Sequence, residues 1–430
     1  MPRHHRPGAP PRHATVAAVT ALLVVLTALL TGPAAAVPRT PHRWPAAAPA
    51  AAPGPAAERT EARTMPDIPA GTTAGVAVYD RDTGRFTELH DADRRFRSAS
   101  LVKLLLALDV LGDGGPAALP EADRVRLTAM LRSSDDAAAS HYWAARGGSA
   151  VVTRTASRLG LTGTVPPPAT HPGHWGYTAT TASDTVRVYR HILETAPAAV
   201  RTFVMDALHS ATRCGNDGFD QYFGIPSAFD GPRAVKQGWS GFTSGGCTAA
   251  APATVPRAGA LHTTGTAAAP ATVPRAGALH TTGTAAPAAS LDLVSEALHT
   301  TGTVGPGDRT VVAVLTLHPD GTPYGTAYGR VTRLTDSLDV PGAVRPAGTR
   351  FGTWGSGVRV RAAASTASAH LTTLPAGVEV LVGCQGRGER VTVPPYDNDW
   401  WAYLPQYGGW ITQIYISSPD STLPGVPDCP

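Results

Sequence analysis

Of the 36 lysines and arginines in the sequence only two are lysine, Lys103 and Lys236. A biased coding composition accounts for the scarcity of lysine but not for where the two survivors sit. Arginine serves at any solvated surface, whereas an amine that must lose a proton or act as a compact point charge has to be lysine. Lys103 follows Ser100 by three positions in Ser100-Leu101-Val102-Lys103, and on a helix residues i and i+3 share a face, so the amine reaches the hydroxyl. A serine hydroxyl is a poor nucleophile until a neighbouring base takes its proton. Apolar neighbours such as Leu101, Leu104 and Leu105 weaken a lysine's hold on its own proton enough to make it that base. The start of a helix also offers free N–H groups to a developing oxyanion. A Ser-x-x-Lys quartet alone is weak, since chance supplies one in most chains of this size. Its company is Ser134-Asp135-Asp136 and Lys236-Gln237-Gly238, in that order. Taken singly, Ser134 and Asp135 also read as a helix cap and Gly238 as a strand bulge.

The elements that must carry these residues follow from periodicity and turn chemistry. Ala74 to Asp80 reads as a strand, Asp82-Thr83-Gly84 as a turn and Arg85 to His90 as the returning strand. Ser100 to Leu111 is a strongly apolar helix. Helices are expected over Glu121 to Arg132, Asp135 to Ala145 and Ser183 to Glu194, with a proline-rich loop at Val165-Pro166-Pro167-Pro168 before the last. Late strands fall at Ala234 to Gly238, Ala297 to Val304 and Thr310 to His318, before a final helix from about Tyr328 to Leu338. Strands at both ends with helices between predict a mixed α/β layered fold, an antiparallel sheet flanked by helices. The stretch 249–266 is repeated without change at 267–284, and its last seven residues recur at Ala297 to Thr303. Two copies are too few for a solenoid, so 249–290 reads as a low-complexity tandem duplication that loops out, while only the third heptapeptide, at Ala297 to Thr303, joins the sheet.

With the three motifs in this order, the chain resembles the penicillin-recognising serine hydrolases, the class A β-lactamase and D-Ala-D-Ala carboxypeptidase-like family, whose signatures are Ser-x-x-Lys, Ser-Asp-Asn and Lys-Thr-Gly. The resemblance covers roughly Met65 to Leu338 and includes the segment Arg158 to Thr162. It implies that Ser100 is acylated, that Lys103 takes or relays its proton, that Ser134 passes a proton to the leaving nitrogen and that Lys236 attracts a substrate carboxylate. It implies an oxyanion hole from the N–H groups of Ser100 and Trp239, with Asp136, Gln237, Gly238 and Trp239 on the substrate side. Two departures stand in the motifs. Asp136 replaces a neutral amide, and a carboxylate near Lys103 raises that lysine's pKa and weakens it as a base. Gln237 replaces a hydroxyl residue, which removes or replaces one bond to a substrate carboxylate. In class A β-lactamases a loop glutamate activates the deacylating water, and no glutamate occurs here between Glu121 and Glu194. Rapid antibiotic hydrolysis is therefore not expected. His171 and His174 share that loop, but no cysteine or acidic ligand beside them completes a metal site, and no cofactor is expected.

After a short Pro/Gly linker at 340–351, residues 352–430 alternate short apolar strands rich in Trp and Tyr: Val358 to Arg361, Glu379 to Val382, Trp400 to Leu404 and Gly409 to Tyr415. They resemble a bacterial SH3-like domain, which implies a small all-β barrel tethering the protein to peptidoglycan. The linker composition suggests that the two globular units are loosely coupled, with a compact pair as the alternative. Residues 1–36 combine arginines, an apolar run from Ala14 to Leu30 and Ala34-Ala35-Ala36, the pattern of a cleaved signal peptide, with a retained anchor as the competitor. Residues 37–64 are an Ala/Pro-rich linker ahead of a hydrolase domain at 65–339. The net charge of +4 is scattered, so no nucleic-acid partner is implied. Four cysteines in an exported chain point to disulfides, and their order favours Cys214–Cys247 and Cys384–Cys429 among three connectivities. The expectation is a secreted, wall-associated acyl-serine enzyme acting on peptidoglycan stem peptides, with β-lactams as further ligands and no membrane contact after leader cleavage. The alternatives are a β-lactamase with weak deacylation or a non-catalytic peptidoglycan-binding protein.

Overall fold

The computed structural model describes residues 66–112, 114–247 and 291–430. The leader, the Ala/Pro linker and the tandem duplication at 249–290 lie outside the described residues. The chain opens with β1 (Thr73–Asp80) and β2 (Arg85–His90), then a short β3 (Phe96–Arg97) and the helices α1 (Val102–Leu111), α2 (Glu121–Arg132), α3 (Asp136–Ala145) and α4 (Ser149–Leu159). A short β4 (Ala179–Thr180), α5 (Ala182–Arg190), α6 (Ala198–His209) and α7 (Ile225–Ala228) lead to β5 (Arg233–Ser240), β6 (Glu296–Val304), β7 (Thr310–His318) and α8 (Tyr324–Ser337). Five of these strands form one sheet in the order β2-β1-β7-β6-β5, every neighbouring pair antiparallel. The expected mixed α/β layered fold is therefore present, and β5 with the third motif lies at the sheet's edge.

Period-two alternation divides β1 between two cores. Ala77 and Tyr79 join the cluster built on α1 to α6, while Ala74, Val76 and Val78 join one closed by Leu334 and Leu338. Within α1 every residue except Val110 is buried, so the helix is central, and a lysine within it is desolvated by construction. The third heptapeptide occupies β6, whose nine residues are all buried. Three helices, α4, α6 and the four-residue α7, were not singled out by periodicity. The first is rich in β-branched residues of low helix propensity, and the second starts directly after Pro197.

The C-terminal residues form β8 (Thr349–Gly352), β9 (Arg359–Arg361), β10 (His370–Thr373), β11 (Glu379–Val382), β12 (Cys384–Val393), β13 (Tyr396–Leu404) and β14 (Gly409–Thr412). They make a five-stranded sheet, β10-β9-β14-β13-β12, and a β11-β8 pair. Thr349–Gly352, read as linker, is thus a strand paired with Glu379–Val382. Both favoured disulfides are present, Cys214–Cys247 and Cys384–Cys429. The second holds the tail where the Cys429 N–H donates to the Gln385 carbonyl at 2.8 Å.

Loose coupling between the halves is not what the structure has. Phe223, Leu298, Tyr324, Tyr328 and Val331 share one buried cluster with Val360, Val380, Ala402 and Ile411. The reason is α8, whose outward face is apolar and needs a cover. Its Gly325 passes so close that a Cβ there would lie 2.1 Å from the Ala376 carbonyl oxygen, so no larger residue fits. Arg213 spans the junction with its guanidinium 4.0 Å from the ring centres of both Tyr222 and Tyr407.

Candidate active site

Ser100 sits in a single 3-10 turn, Ala99–Leu101, that runs into α1. One turn on, Lys103 is fully buried, and its Nζ donates to Ser100 Oγ at 2.8 Å. Ser134, just before α3, places its carbonyl at 2.6 Å and its Oγ at 3.0 Å from the same Nζ. From edge strand β5, Lys236 Nζ reaches the same Ser134 Oγ at 2.9 Å. The Ser134 hydroxyl thus bridges the two lysines of the chain, both inside the protein. Ala99 and Ser134 hold left-handed backbone angles, φ +45° and +56°, which cost a non-glycine residue roughly 1–2 kcal/mol each. Such strain persists only where the surroundings fix it, and it clusters at active sites.

The helix-cap reading is satisfied by Asp135, whose Oδ1 accepts from the Ala138 N–H at 2.9 Å. Ser134 caps nothing and is left to the lysines. Asp136 approaches Lys103 as its replacement of an amide foreshadowed, with Oδ1 at 2.5 Å from Nζ. Burial pulls the Lys103 pKa down, and the Asp136 carboxylate opposes the fall. Burial pulls the Lys236 pKa down much further, helped by the positive charge of Lys103. The pair is therefore asymmetric: Lys103 has a carboxylate in contact, and Lys236 has none.

Strand alternation sorts the third motif. Lys236 and Gly238 face the nucleophile, and a Cβ at Gly238 would lie 3.1 Å from the Ser98 carbonyl oxygen and 3.4 Å from the Ser100 nitrogen. A side chain here would crowd the turn that leads into α1. Gln237 faces the other way. It was expected on the substrate side, but it is buried, and its Nε2 donates to the carbonyls of Gln221 at 3.0 Å and Phe223 at 2.7 Å. Its side chain ties β5 to the preceding loop and has no donor to offer a ligand. Trp239 points the same way as Gln237, donating from Nε1 to Asp217 Oδ2 at 2.8 Å and stacking on Phe219.

Sequence reasoning missed two residues here. The proline-rich loop brings Trp175 over the site, its ring centre 4.9 Å from Lys103 Nζ, and its Nε1 donates to Ser140 Oγ at 3.2 Å. An indole therefore flanks Lys103 on the loop side. Asp217 adds a negative field felt by both lysines. Neither carries a signal of spacing: each is a lone residue in a loop. His171 and His174 pack with Tyr177, His174 stacked on its ring, and no group of three His, Cys, Asp or Glu among the described residues is placed to hold a metal ion.

No family model matches the sequence. Over 176 residues the chain is 39% identical to a protein named "Putative lipoprotein LppW" in Mycobacterium bovis and in Mycobacterium tuberculosis. The match covers 39% of this chain and 54% of theirs, so the chain spans about half the length of the relatives it matches. Among solved structures it is similar to an ancestral class A β-lactamase (17% identity, TM-score 0.41, 62% of this chain and 93% of that one). It is also similar to the β-lactamase of Streptomyces albus G (16%, TM-score 0.39, 63% and 95%). A third is a PBP-A mutant in acyl-enzyme complex with penicillin G (15%, TM-score 0.40, 62% and 90%). Likeness at this level leaves the site's chemistry to be read from its own atoms.

Proposed function

We propose that this protein is an exported acyl-serine hydrolase of the penicillin-binding type, with a catalytic domain over 65–339 acting on peptidoglycan stem peptides. One observation carries the reading: Ser134 Oγ lies 3.0 Å and 2.9 Å from two buried lysines, one of which is 2.8 Å from Ser100 Oγ. In this scheme Ser100 Oγ attacks the carbonyl carbon and its proton passes to Lys103 in the neutral form. The oxyanion is received by the N–H groups of Ser100 and Trp239, brought together by the close approach of Gly238. As the C–N bond breaks, Ser134 hands a proton to the leaving nitrogen and is resupplied from the lysines on either side. Lys236, desolvated and short of a counter-charge, gains one when a substrate carboxylate arrives, which favours its ammonium form. Water then releases the acyl group from Ser100. Trp175 in place of a loop carboxylate makes that last step slow toward β-lactams, closer to a D-alanyl-D-alanine carboxypeptidase than to a fast β-lactamase.

The second reading, a non-catalytic peptidoglycan-binding protein, draws on the 2.5 Å contact of Asp136 with Lys103, which favours a charged amine that is no base. Residues 352–430 are read as an SH3-like domain that tethers the protein to cell wall. The lipoprotein name of the mycobacterial relatives agrees with an envelope location. Intact mass after incubation with a penicillin, beside Ser100→Ala, tests the proposal. An adduct on the unsubstituted protein alone, lasting hours, is the expected result. Disappearance of antibiotic without an adduct points to a β-lactamase, and neither event points to the binding protein.

A further inference from the structure

β5 is an edge strand, so its backbone ladder with β6 holds it from one side only. Gln237 supplies a second hold, from the face turned away from Ser100. Its Nε2 donates to the Gln221 carbonyl at 3.0 Å and to the Phe223 carbonyl at 2.7 Å, while its Oε1 is buried with no hydrogen-bond partner among the described residues. A buried amide oxygen without a donor is unfavourable, so the two bonds from Nε2 are what this residue contributes. The tie continues beyond the loop. Gln221 is itself buried, and its Nε2 donates to the Arg132 carbonyl at 2.9 Å. Arg132 ends α2, two residues before Ser134. The same loop sends the Thr212 N–H to that carbonyl at 3.1 Å and the Asn216 N–H to the Ser133 carbonyl at 2.7 Å.

Two glutamine side chains thus join the second motif to the third. At the end of that link Ser134 stands in its left-handed backbone conformation, φ +56°, with Oγ 2.9 Å from Lys236 Nζ. The same Nζ donates to the backbone carbonyl of Gln237 at 3.1 Å. We propose that Gln237 and Gln221 are positioning residues that set the contact between Ser134 and Lys236, and through it the protonation of the leaving nitrogen. In that step the C–N bond breaks, its electron pair stays on nitrogen, and nitrogen takes the Ser134 hydroxyl proton, which a lysine replaces. The glutamine that stands in place of a hydroxyl residue in the third motif works behind the strand rather than on the substrate. The inference rests on the acyl-serine reading above.

The test uses the full chain and two substrates that share an acyl group and a terminal carboxylate: a peptide amide, and an aryl ester whose phenolate leaves without a proton. Penicillin, whose leaving group is also an amide nitrogen, stands in for a peptide that is inert. Gln221→Met should lower kcat/KM for the amide at least about tenfold, as small misplacements of catalytic groups do. It should leave the ester within about threefold, since a leaving group that needs no proton gains nothing from a general acid. Gln237→Thr, which puts a hydroxyl where the family signature has one, should do the same. Retained ester acylation shows that both variants fold. Equal losses on the two substrates, an undiminished amide rate in either variant, or a protein acylated by the ester alone would overturn the proposal. If neither penicillin nor either substrate acylates Ser100, the acyl-serine reading is what falls, and the placement of Lys236 decides alone. With only two lysines in the chain, isotope-labelled lysine gives two side-chain resonances in nuclear magnetic resonance, and the one missing from Lys236→Met belongs to Lys236. A resonance displaced in both glutamine variants, yet distinct from its value in urea, upholds the link; one left in place, or fallen to the urea value, refutes it.

Discussion

In the larger half of the molecule Lys103 and Lys236 are 0% and 1% exposed. In the C-terminal half Arg387 and Arg390 pair with Asp399 and Asp397 at the surface, the arginine side chains 66% and 62% exposed. Charges of the second kind are solvated whether or not they pair, and each pair contributes about 0–1 kcal/mol. Charges of the first kind cost several kcal/mol to bury, which makes no sense as stabilisation. The difference teaches where each half spends its favourable free energy. The C-terminal unit rests on a shared apolar cluster and a disulfide, while the serine half buries two amines whose pKa values that burial lowers.

Removing the base strikes that contrast hardest. Lys103→Met should slow acylation of Ser100 by roughly 10³-fold or more, followed as the rate of penicillin adduct formation by mass. The midpoint of urea unfolding should hold or rise, because an apolar residue of similar volume removes a desolvation cost. A large loss of stability would show that the lysine is structural and erase the distinction.

The converse change is Cys384→Ser with Cys429→Ser. The two cysteines are 45 residues apart, and the chain-entropy account puts their link at about 4 kcal/mol. Because Tyr324 and Tyr328 are buried with residues of both halves, one cooperative transition should remain, at lower denaturant. Two separated transitions in fluorescence and circular dichroism would mean that the shared cluster does not couple them.

Next in size is acid sensitivity of the serine half. His299 is fully buried, its Nε2 bonded to the Arg97 carbonyl and its Nδ1 accepting the Thr316 N–H, and burial pushes its pKa down to about 4. His318 is pushed down to about 3 by burial and by Arg330. A histidine with a lowered folded pKa stabilises fully above its unfolded value near 6.5, and that contribution drains away as pH falls toward the folded value. For His299 the loss between about pH 6.5 and 4 is about 3 kcal/mol. Urea unfolding at pH 7 and pH 4.5 should register it, and His299→Gln should flatten the dependence; a protein equally stable at both values would contradict the assignment.

The smallest effect sharpens the contrast most finely. Asp136 opposes the fall in the Lys103 pKa, so Asp136→Asn should let that pKa drop further and move the rising limb of the pH–acylation profile to lower pH. On the acid side of the limb the rate should increase roughly threefold to tenfold. A profile that stays in place would remove Asp136 from the control of the base.

Much of this site was legible because lysine is so scarce: Ser100, Lys103, Ser134 and Lys236 converge as their motifs imply, and the Asp136 contact follows from one changed residue. Gln237 was misplaced even though the alternation of a strand, which turns it away from Lys236 and Gly238, is a property of sequence. Trp175 and Asp217 were invisible for a better reason. Loop residues reach a site through the path of the chain, which no local periodicity encodes. The same holds for the junction: the apolar face of α8 could be read in sequence, but what covers it could not.

The burial of β6 has one more consequence. Its heptapeptide, Ala297 to Thr303, is spelled identically at Ala260 to Thr266 and Ala278 to Thr284, so the chain carries three identical keys for one lock. Every contact made inside the heptapeptide, including the His299 and Thr301 hydrogen bonds, is equal for all three and cannot choose among them. The choice falls to the flanks, Glu296 and Val304, which the other copies replace with glycine and alanine. The Glu296 bond to Gly321 and the burial of Val304 act as the proofreading marks that fix the thread of the chain.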